Sequence, residues 1–491
     1  MTRPDLLPGG THDRPRTRTA SILILLGVLA VAFAAFWPSL QGGLVSDDFQ
    51  FTRRPWGLNF LGHLASGWEH QLGRATAYRP FTVFTYGLNQ WLWSSPVGFH
   101  AGNILIHAVA SGFATLLARR LGLGATAAGV CGVLFALHPV HGEAVSWISG
   151  RTATLAGALS LGAMWLATFP GGYHAAAATT LAALAILSYE GAFLLPAMLV
   201  AVVWYLQPAH APAPPWRRVA RTLAPLAAVW LFYVFMRWFV ISGLERDTWA
   251  LSSAVTRDGF ALPVSERAWR NTLQLLTRVL GAGYGLLAWQ SRTFLLTSIL
   301  VVVAAILAWR HSRSSRRLIA LAIVVSALAF APYVTYTGYA DRFAYLPSIG
   351  VCVILAAGVQ AVLDRDRFLE RACVSVAAVA LGALWVRQLV LSERDWNEAG
   401  VIAEAITTQA AALGSPLPQG SSLHVIGVPL NLRGAYVFIT YFDLAVSQAL
   451  ARSDVKISMD PDPAGACPTA PATSSLCLRW DAQQRTLSVA R

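Results

Sequence analysis

Long apolar runs leave this chain few ways to fold. They occupy residues 21–40, 98–117, 125–137, 153–169, 173–188, 192–206, 223–241, 293–309, 318–334, 345–362 and 373–391. A hydrocarbon layer of about 30 Å takes roughly 17–25 helical residues to cross, and a backbone inside it must satisfy its own hydrogen bonds. The runs therefore predict about eleven transmembrane helices, an all-α polytopic membrane protein. Composition agrees, with 55% hydrophobic and 12% charged residues among 491, which excludes an ordinary soluble enzyme.

A net charge of +13 would suggest nucleic acid in a soluble protein, but here the arginines sit in short clusters between apolar runs. Arg14, Arg16 and Arg18, then Arg119 and Arg120, Arg217, Arg218 and Arg221, Arg310, Arg313, Arg316 and Arg317, and Arg365, Arg367 and Arg371 share one side if 266–289 lies in the interface without crossing. That is the positive-inside pattern, and no nucleic-acid partner is expected. The N-terminus is then inside, with 21–40 as an uncleaved signal anchor, since "FAAFWPSLQGG" lacks a convincing cleavage site. Parity places 44–97, 138–151, 188–190, 242–289, 339–344 and everything after 391 outside. The expected organisation is a basic cytoplasmic tail (1–19), a membrane region (20–392, with outer loops at 41–97, 138–151 and 242–289) and a small extracytoplasmic α/β domain (393–491).

In that last region "WNEAGVIAEAITTQAAAL" and "FDLAVSQALA" read as helices, "SLHVIGVP" and "AYVFITY" as strands, and "CLRWDAQQRTLSVA" as a hairpin. It carries no nucleotide loop, triad or metal cluster, so a structural or acceptor-docking role is expected of it. Cys467 and Cys477 can pair in an oxidising compartment, whereas Cys131, Cys352 and Cys373 read as small buried residues.

Groups able to do chemistry crowd the outer loops. "LVSDDFQF" sets Asp47 and Asp48 just past the first helix. Adjacent carboxylates point different ways, so one can face a pocket while the other caps a helix. In "AYRPFTVFTYGLNQWLW", Arg79 beside Tyr78 is either a phosphate clamp or a headgroup anchor. His100, Asn103 and His107 fall on one helical face, where interhelical hydrogen bonding explains them as well as catalysis does. "LHPVHGEAVSWISGR" brings His138, His141, Glu143 and Arg151. The two histidines and Glu143 are of types that bind divalent cations, but Pro139 breaks the helix between them and no second ligand cluster follows, so no metal is expected to be required. Arg151 is a second candidate phosphate clamp. Glu190 sits at a break between apolar runs, where an unpaired carboxylate is costly. Asp341 and Arg342 either bridge to each other or divide the work between acceptor and phosphate.

"SDDF", "YRPFTVFTYGLN", "GFHAGNILIHA", "LFALHPVHGEAVSWISGR", "LSYEGAFLLP" and "DRFAYLPSIG", in this order, resemble multispanning GT-C-fold glycosyltransferases over roughly residues 20–400. The nearest resemblance is to the protein O-mannosyltransferase-like family that in animals carries tetratricopeptide repeats. The resemblance implies a transferase that takes a sugar from a polyprenyl-phosphate carrier and passes it to a protein or glycan acceptor outside the membrane, by inverting single displacement. It implies Asp47 or Asp48 as base on the acceptor hydroxyl, Glu143 as the acid of the second outer loop, and Arg79, Arg151 and Arg342 as partners of the donor phosphate. A bacterial inner or plasma membrane is the expected location. Tyr189 stands where the family has the lysine of "SKE", and the repeats are replaced by the small C-terminal domain, so neither sugar nor acceptor identity carries over. The alternatives are a flippase or transporter, which would place its polar groups at the bilayer midplane, a glycan polymerase or ligase, and a non-catalytic scaffold.

Overall fold

The computed structural model describes residues 15–53, 55–65, 78–207, 216–242, 263–281, 292–336, 338–365, 367–468 and 475–490. Its helices are α1 (Pro15–Ala35), short α2 (Asp48–Arg53) and α3 (Phe60–Ala65), α4 (Pro80–Leu92), α5 (Pro96–Arg120), α6 (Ala125–Leu137), α7 (Gly142–Ser146), α8 (Arg151–Ala167), α9 (Gly172–Ile186), α10 (Leu195–Tyr205), α11 (Trp216–Ser242), α12 (Val264–Val279), α13 (Arg292–His311), α14 (Arg313–Phe330), α15 (Ile349–Leu363), α16 (Phe368–Gly414) and α17 (Phe442–Leu450). Each apolar run of the sequence carries one of them. By length and hydropathy, four described stretches suffice to cross a membrane: Pro96–Arg120, Arg292–His311, Arg313–Tyr333 and Phe368–Gly414. The pair Ala125–Leu137 and Pro139–Ser146, bent by 44°, makes a fifth, beside shorter apolar helices. The bend sits at Pro139, whose ring cannot continue the helix, and the His138 ring accepts from the Val140 N–H freed there. The expected interfacial segment 266–289 is α12 in its first part; residues 282–289 lie outside the described residues.

The run 373–391 and the helix expected at its C-terminal side form one 47-residue rod, α16. Its first half exposes Phe368, Leu369, Val376 and Val379, while the second half buries Trp396, Ala399, Ala403 and Ile406. Beyond it, β1 (Ser422–Ile426) is flanked by parallel β4 (Lys456–Asp460) and β5 (Ser475–Asp481), and β5 turns into antiparallel β6 (Thr486–Val489). The hairpin and α17 match the sequence reading, and Cys467 and Cys477 are bridged. Two details differ. "KISMD" is a strand despite its half-polar character, because β1 offers it a buried edge. "AYVFITY" pairs only through Ala435–Tyr436, with β2 (Asn431–Leu432), as β3. The rest of it turns, with Val437 and Phe438 buried, Thr440 exposed and Tyr441 in the left-handed region at φ 59°, to enter α17 at once.

The tail does not close a core by itself. Its Val425, Phe438 and Leu478 share one apolar cluster with Phe49, Phe51 and Trp147 of the loops between membrane helices. The approach is close where the chain before α2 crosses α16: a Cβ on Gly400 would meet the Gly43 backbone at 2.7 Å. Gly400→Ala gains helix propensity but forces that crossing open, and overpacking of this kind costs about 1–3 kcal/mol. We expect Gly400→Ala to lower the thermal unfolding midpoint of the detergent-solubilised protein, whereas Gly382→Ala, on the same helix with nothing near its Cβ position, does not.

Candidate active site

Asp47 and Asp48 are separated by the geometry of the turn that precedes α2. Ser46 takes φ 46°, and Asp48, at the start of the helix, swings inward with no exposed surface. One Asp48 oxygen accepts from the Ser149 N–H at 2.9 Å and from the Ser149 hydroxyl at 2.8 Å; the other accepts from the Val45 N–H at 3.3 Å. Burial without a cation raises its pKa to about 8, against the pull of those donors. Asp48 thus staples the first loop to the second. Asp47 is only half-buried and turns to the tail, where the Thr440 hydroxyl donates to its Oδ1. Burial raises its pKa too, and the Thr440 hydroxyl and the Arg342 and Arg79 guanidinium groups oppose the rise.

The two arginines that flank Asp47 are paired differently. Arg79 enters α4 ahead of Pro80 and holds Glu190 at 2.9 Å, with its guanidinium 4.7 Å from the Tyr189 ring centroid. The basic contact expected of the missing lysine at 189 is therefore supplied by Arg79. Arg342 pairs with Glu143 through Nη1, and its backbone N–H reaches the other Glu143 oxygen at 3.3 Å. Tyr436, from β3 of the tail, completes a triangle: its hydroxyl donates to Glu143 at 2.9 Å and accepts from Arg342 Nη1 at 3.0 Å. Burial beside the Glu143 carboxylate pushes the Tyr436 phenol pKa upward, so it remains a donor. Among the described residues Arg342 uses only Nη1 of its side chain; Nε and Nη2 keep no protein acceptor, and the side chain is 21% exposed. A narrow cavity of about 20 Å³, room for one water, runs beside it between Tyr189, Tyr333 and Phe343.

Other expected site residues do not join this group. Arg151 is 1% exposed. Its donors go to Asn103 Oδ1 (2.7 Å), Asn89 Oδ1 (2.7 Å), the Phe99 carbonyl (2.9 Å) and the Thr85 carbonyl (3.2 Å), and its plane lies 4.6 Å from the Tyr86 ring centroid. It ties α4, α5 and α8 together and is not placed as a phosphate clamp. Asp341 pairs with Arg278 of α12 at 2.8 Å, not with Arg342. The Tyr78 hydroxyl donates to the Leu64 carbonyl at 2.7 Å, away from Asp47. His138 donates to the Val279 carbonyl at 3.0 Å, and His141 bonds the Ser348 hydroxyl at 2.9 Å, beside Tyr345, whose hydroxyl bonds His107 at 2.8 Å. His141 and His107 brace the 341–348 segment that presents Arg342, while His138 ties the bend after α6 to the end of α12. They do not converge with Glu143 on a cation position, and among the described residues no group of three His, Cys, Asp or Glu side chains is placed to hold a metal ion.

Tyr436 and Thr440 were not expected from sequence. The one trace of them is a threonine interrupting the apolar run "VFITYF". A third unexpected member is Glu393 of α16, 1% exposed, which accepts from the hydroxyls of Ser39, ahead of Asp47, and Ser146, one helical turn after Glu143.

No family model matches the chain. Its sequence is similar to a protein O-mannosyl-transferase of Caenorhabditis elegans, 31% identical over 184 residues (32% of this chain, 25% of that one). It is also similar to protein O-mannosyl-transferase TMTC4 of Homo sapiens, 32% identical over 170 residues (29% and 22%). The chain thus spans about a quarter of the length of these curated relatives. Among solved structures, ArnT from Cupriavidus metallidurans in the apo state aligns over 94% of this chain and 93% of its own, at 13% identity and TM-score 0.49. The Archaeoglobus fulgidus oligosaccharyltransferase in the apo form aligns over 90% and 64%, at 12% identity and TM-score 0.48. The chain is an integral membrane protein that resembles the protein O-mannosyl-transferases, as its ordered motifs imply.

The placement of Arg151 is tested by Arg151→Lys. An ammonium keeps the charge but cannot reach the four acceptors, and stranded buried polar groups cost about 1–3 kcal/mol each. We expect a markedly lower unfolding midpoint; an unchanged midpoint would return Arg151 to the candidate phosphate sites.

Proposed function

We propose that this protein is a membrane glycosyltransferase that moves a sugar from a polyprenyl-phosphate donor to an acceptor hydroxyl on the outer membrane face, with a protein or glycan as acceptor. The observation that carries this reading is the Asp47 carboxylate, already bearing a hydroxyl contact and within electrostatic reach of an Arg342 guanidinium with unused donors. In the proposed step Asp47 takes the proton of the acceptor hydroxyl as its oxygen attacks the anomeric carbon. The bond from that carbon to the phosphate oxygen breaks, and its electron pair leaves with the lipid phosphate. Arg342 meets the charge that develops there, with Arg79 nearby; Glu143 and Tyr436 hold Arg342 in place. With one base and no covalent nucleophile, the transfer is a single displacement that inverts the anomeric centre. Polyprenyl phosphate is favoured as carrier because the unused guanidinium donors suit a phosphate beside membrane helices. The similarity to O-mannosyl-transferases makes mannose the first sugar to test, although the site residues do not select among hexoses and pentoses. The positive-inside arrangement of the arginine clusters supports the outer face as the side of reaction.

In a transfer assay with defined polyprenyl-phosphate sugars, Asp47→Asn is expected to lower the rate by about 10²–10⁴, the usual contribution of a general base. Asp48→Asn keeps an amide oxygen on Ser149 and is expected to stay within about tenfold of wild type. Because burial raises the Asp47 pKa, the rate climbs with pH through a midpoint above the ordinary aspartate value of about 3.9. Asp48 has its own signature. Its folded pKa, about 8, exceeds the unfolded one, so its contribution to stability is full below about pH 4 and is lost as pH rises through 8. Asp48→Asn removes that trend. Equal loss of transfer in both variants would reject the division of roles.

A further inference from the structure

The Thr440 hydroxyl stands where a substrate hydroxyl has to stand. A general base must lie about 2.6–3.2 Å from the oxygen it deprotonates, and the group in hydrogen-bond contact with Asp47 Oδ1 is the protein's own alcohol. Thr440 is exposed, whereas its neighbours Val437, Phe438, Tyr441 and Phe442 are buried. Phe438 stacks on Phe49 at 5.9 Å, so the loop is anchored on the very helix that Asp47 precedes. Ser46 closes the contact: its backbone N–H donates to the Val437 carbonyl at 2.9 Å, and its hydroxyl lies 3.0 Å from Thr440 Oγ1 and accepts from the Thr440 N–H at 3.2 Å.

Both sides of this contact are in unfavourable backbone conformations. Ser46 has φ 46° and Tyr441 φ 59°, left-handed values that side chains other than glycine rarely adopt. Backbone strain of this kind clusters at active sites and ligand-binding segments. A solvent-facing hydroxyl gives little stability in return, so the Thr440 side chain can leave Asp47 while Val437, Phe438 and Tyr441 stay packed.

We propose that the Thr440 side chain gates the acceptor position, as a placeholder that an incoming acceptor hydroxyl displaces from Asp47. This rests on Asp47 being the base of the transfer. The tail then competes with the acceptor at a site to which it also contributes Tyr436, and acceptor affinity is set partly by how readily Thr440 gives way.

The test uses the full chain in vesicles, with undecaprenyl-phosphate mannose as donor and a threonine-containing peptide as acceptor. Thr440→Val keeps the shape and removes the hydroxyl; the acceptor KM is expected to fall about tenfold, and Thr440→Ser to restore the wild-type KM. A lower kcat in Thr440→Val with an unchanged acceptor KM would overturn the gate and make Thr440 a positioning residue for Asp47. Thermal midpoints of the three proteins, expected within a degree or so of one another given the exposed position, show that folding is not the cause. If wild type transfers no mannose to the peptide, the mannose-to-peptide form of the transferase reading fails, and the gate built on it fails with it; that outcome is distinct from an active enzyme whose Thr440→Val keeps the wild-type acceptor KM, which overturns the gate alone.

Discussion

Glu143 is a carboxylate with 2% of its surface exposed, and a charge removed from water at that depth must be matched. It is matched twice, by Arg342 from the segment before α15 and by Tyr436 from the tail. Those partners lie 199 and 293 residues away in sequence, so this contact fixes how the second loop, the 341–348 segment and the tail sit relative to one another. Losing Arg342 would leave the buried Glu143 carboxylate without its cation. The aromatic faces around it, Trp147 at 5.3 Å and Phe343 at 5.1 Å from Arg342, hold the guanidinium plane without consuming its remaining donors.

Around that junction the structure separates fastening from chemistry. Asp48, Arg151, Asp341, Asn103, His107, His138 and His141 are each taken up by protein partners, mostly buried ones. Asp47 and Arg342 keep open faces. Asp47 and Asp48 show how sharp the division is: one turn with a left-handed Ser46 sends neighbouring carboxylates in opposite directions, one to a backbone staple and the other to the tail loop. Glu393 repeats the fastening role at the base of both acidic loops through Ser39 and Ser146.

The helices were legible in the sequence because lipid imposes a length and a composition on them, and a helix falls on every apolar run. Asp47, Glu143, Arg79 and Arg342 were legible as polar residues at the ends of such runs. What was not legible is which group uses which partner. Arg151 and Arg342 look alike in sequence, each at a helix start amid aromatics, yet one meets four acceptors and the other keeps two nitrogens unclaimed; only the packing of α4 and α5 decides this. Tyr436 and Thr440 escaped notice for a different reason. They belong to a segment that reads as an ordinary strand, and their part in the site depends on α16 running unbroken from membrane to tail.

If tail and membrane region build one site, Tyr436→Phe must damage it. The ring keeps its edge-on contact with Trp147 at 4.9 Å, and only the hydroxyl between Glu143 and Arg342 is lost. Transfer from a polyprenyl-phosphate sugar, measured per folded molecule, should fall about tenfold or more, the scale of one hydrogen bond to a charged group. Transfer at the wild-type rate would mean that the tail only packs beside the site, and would contradict the account.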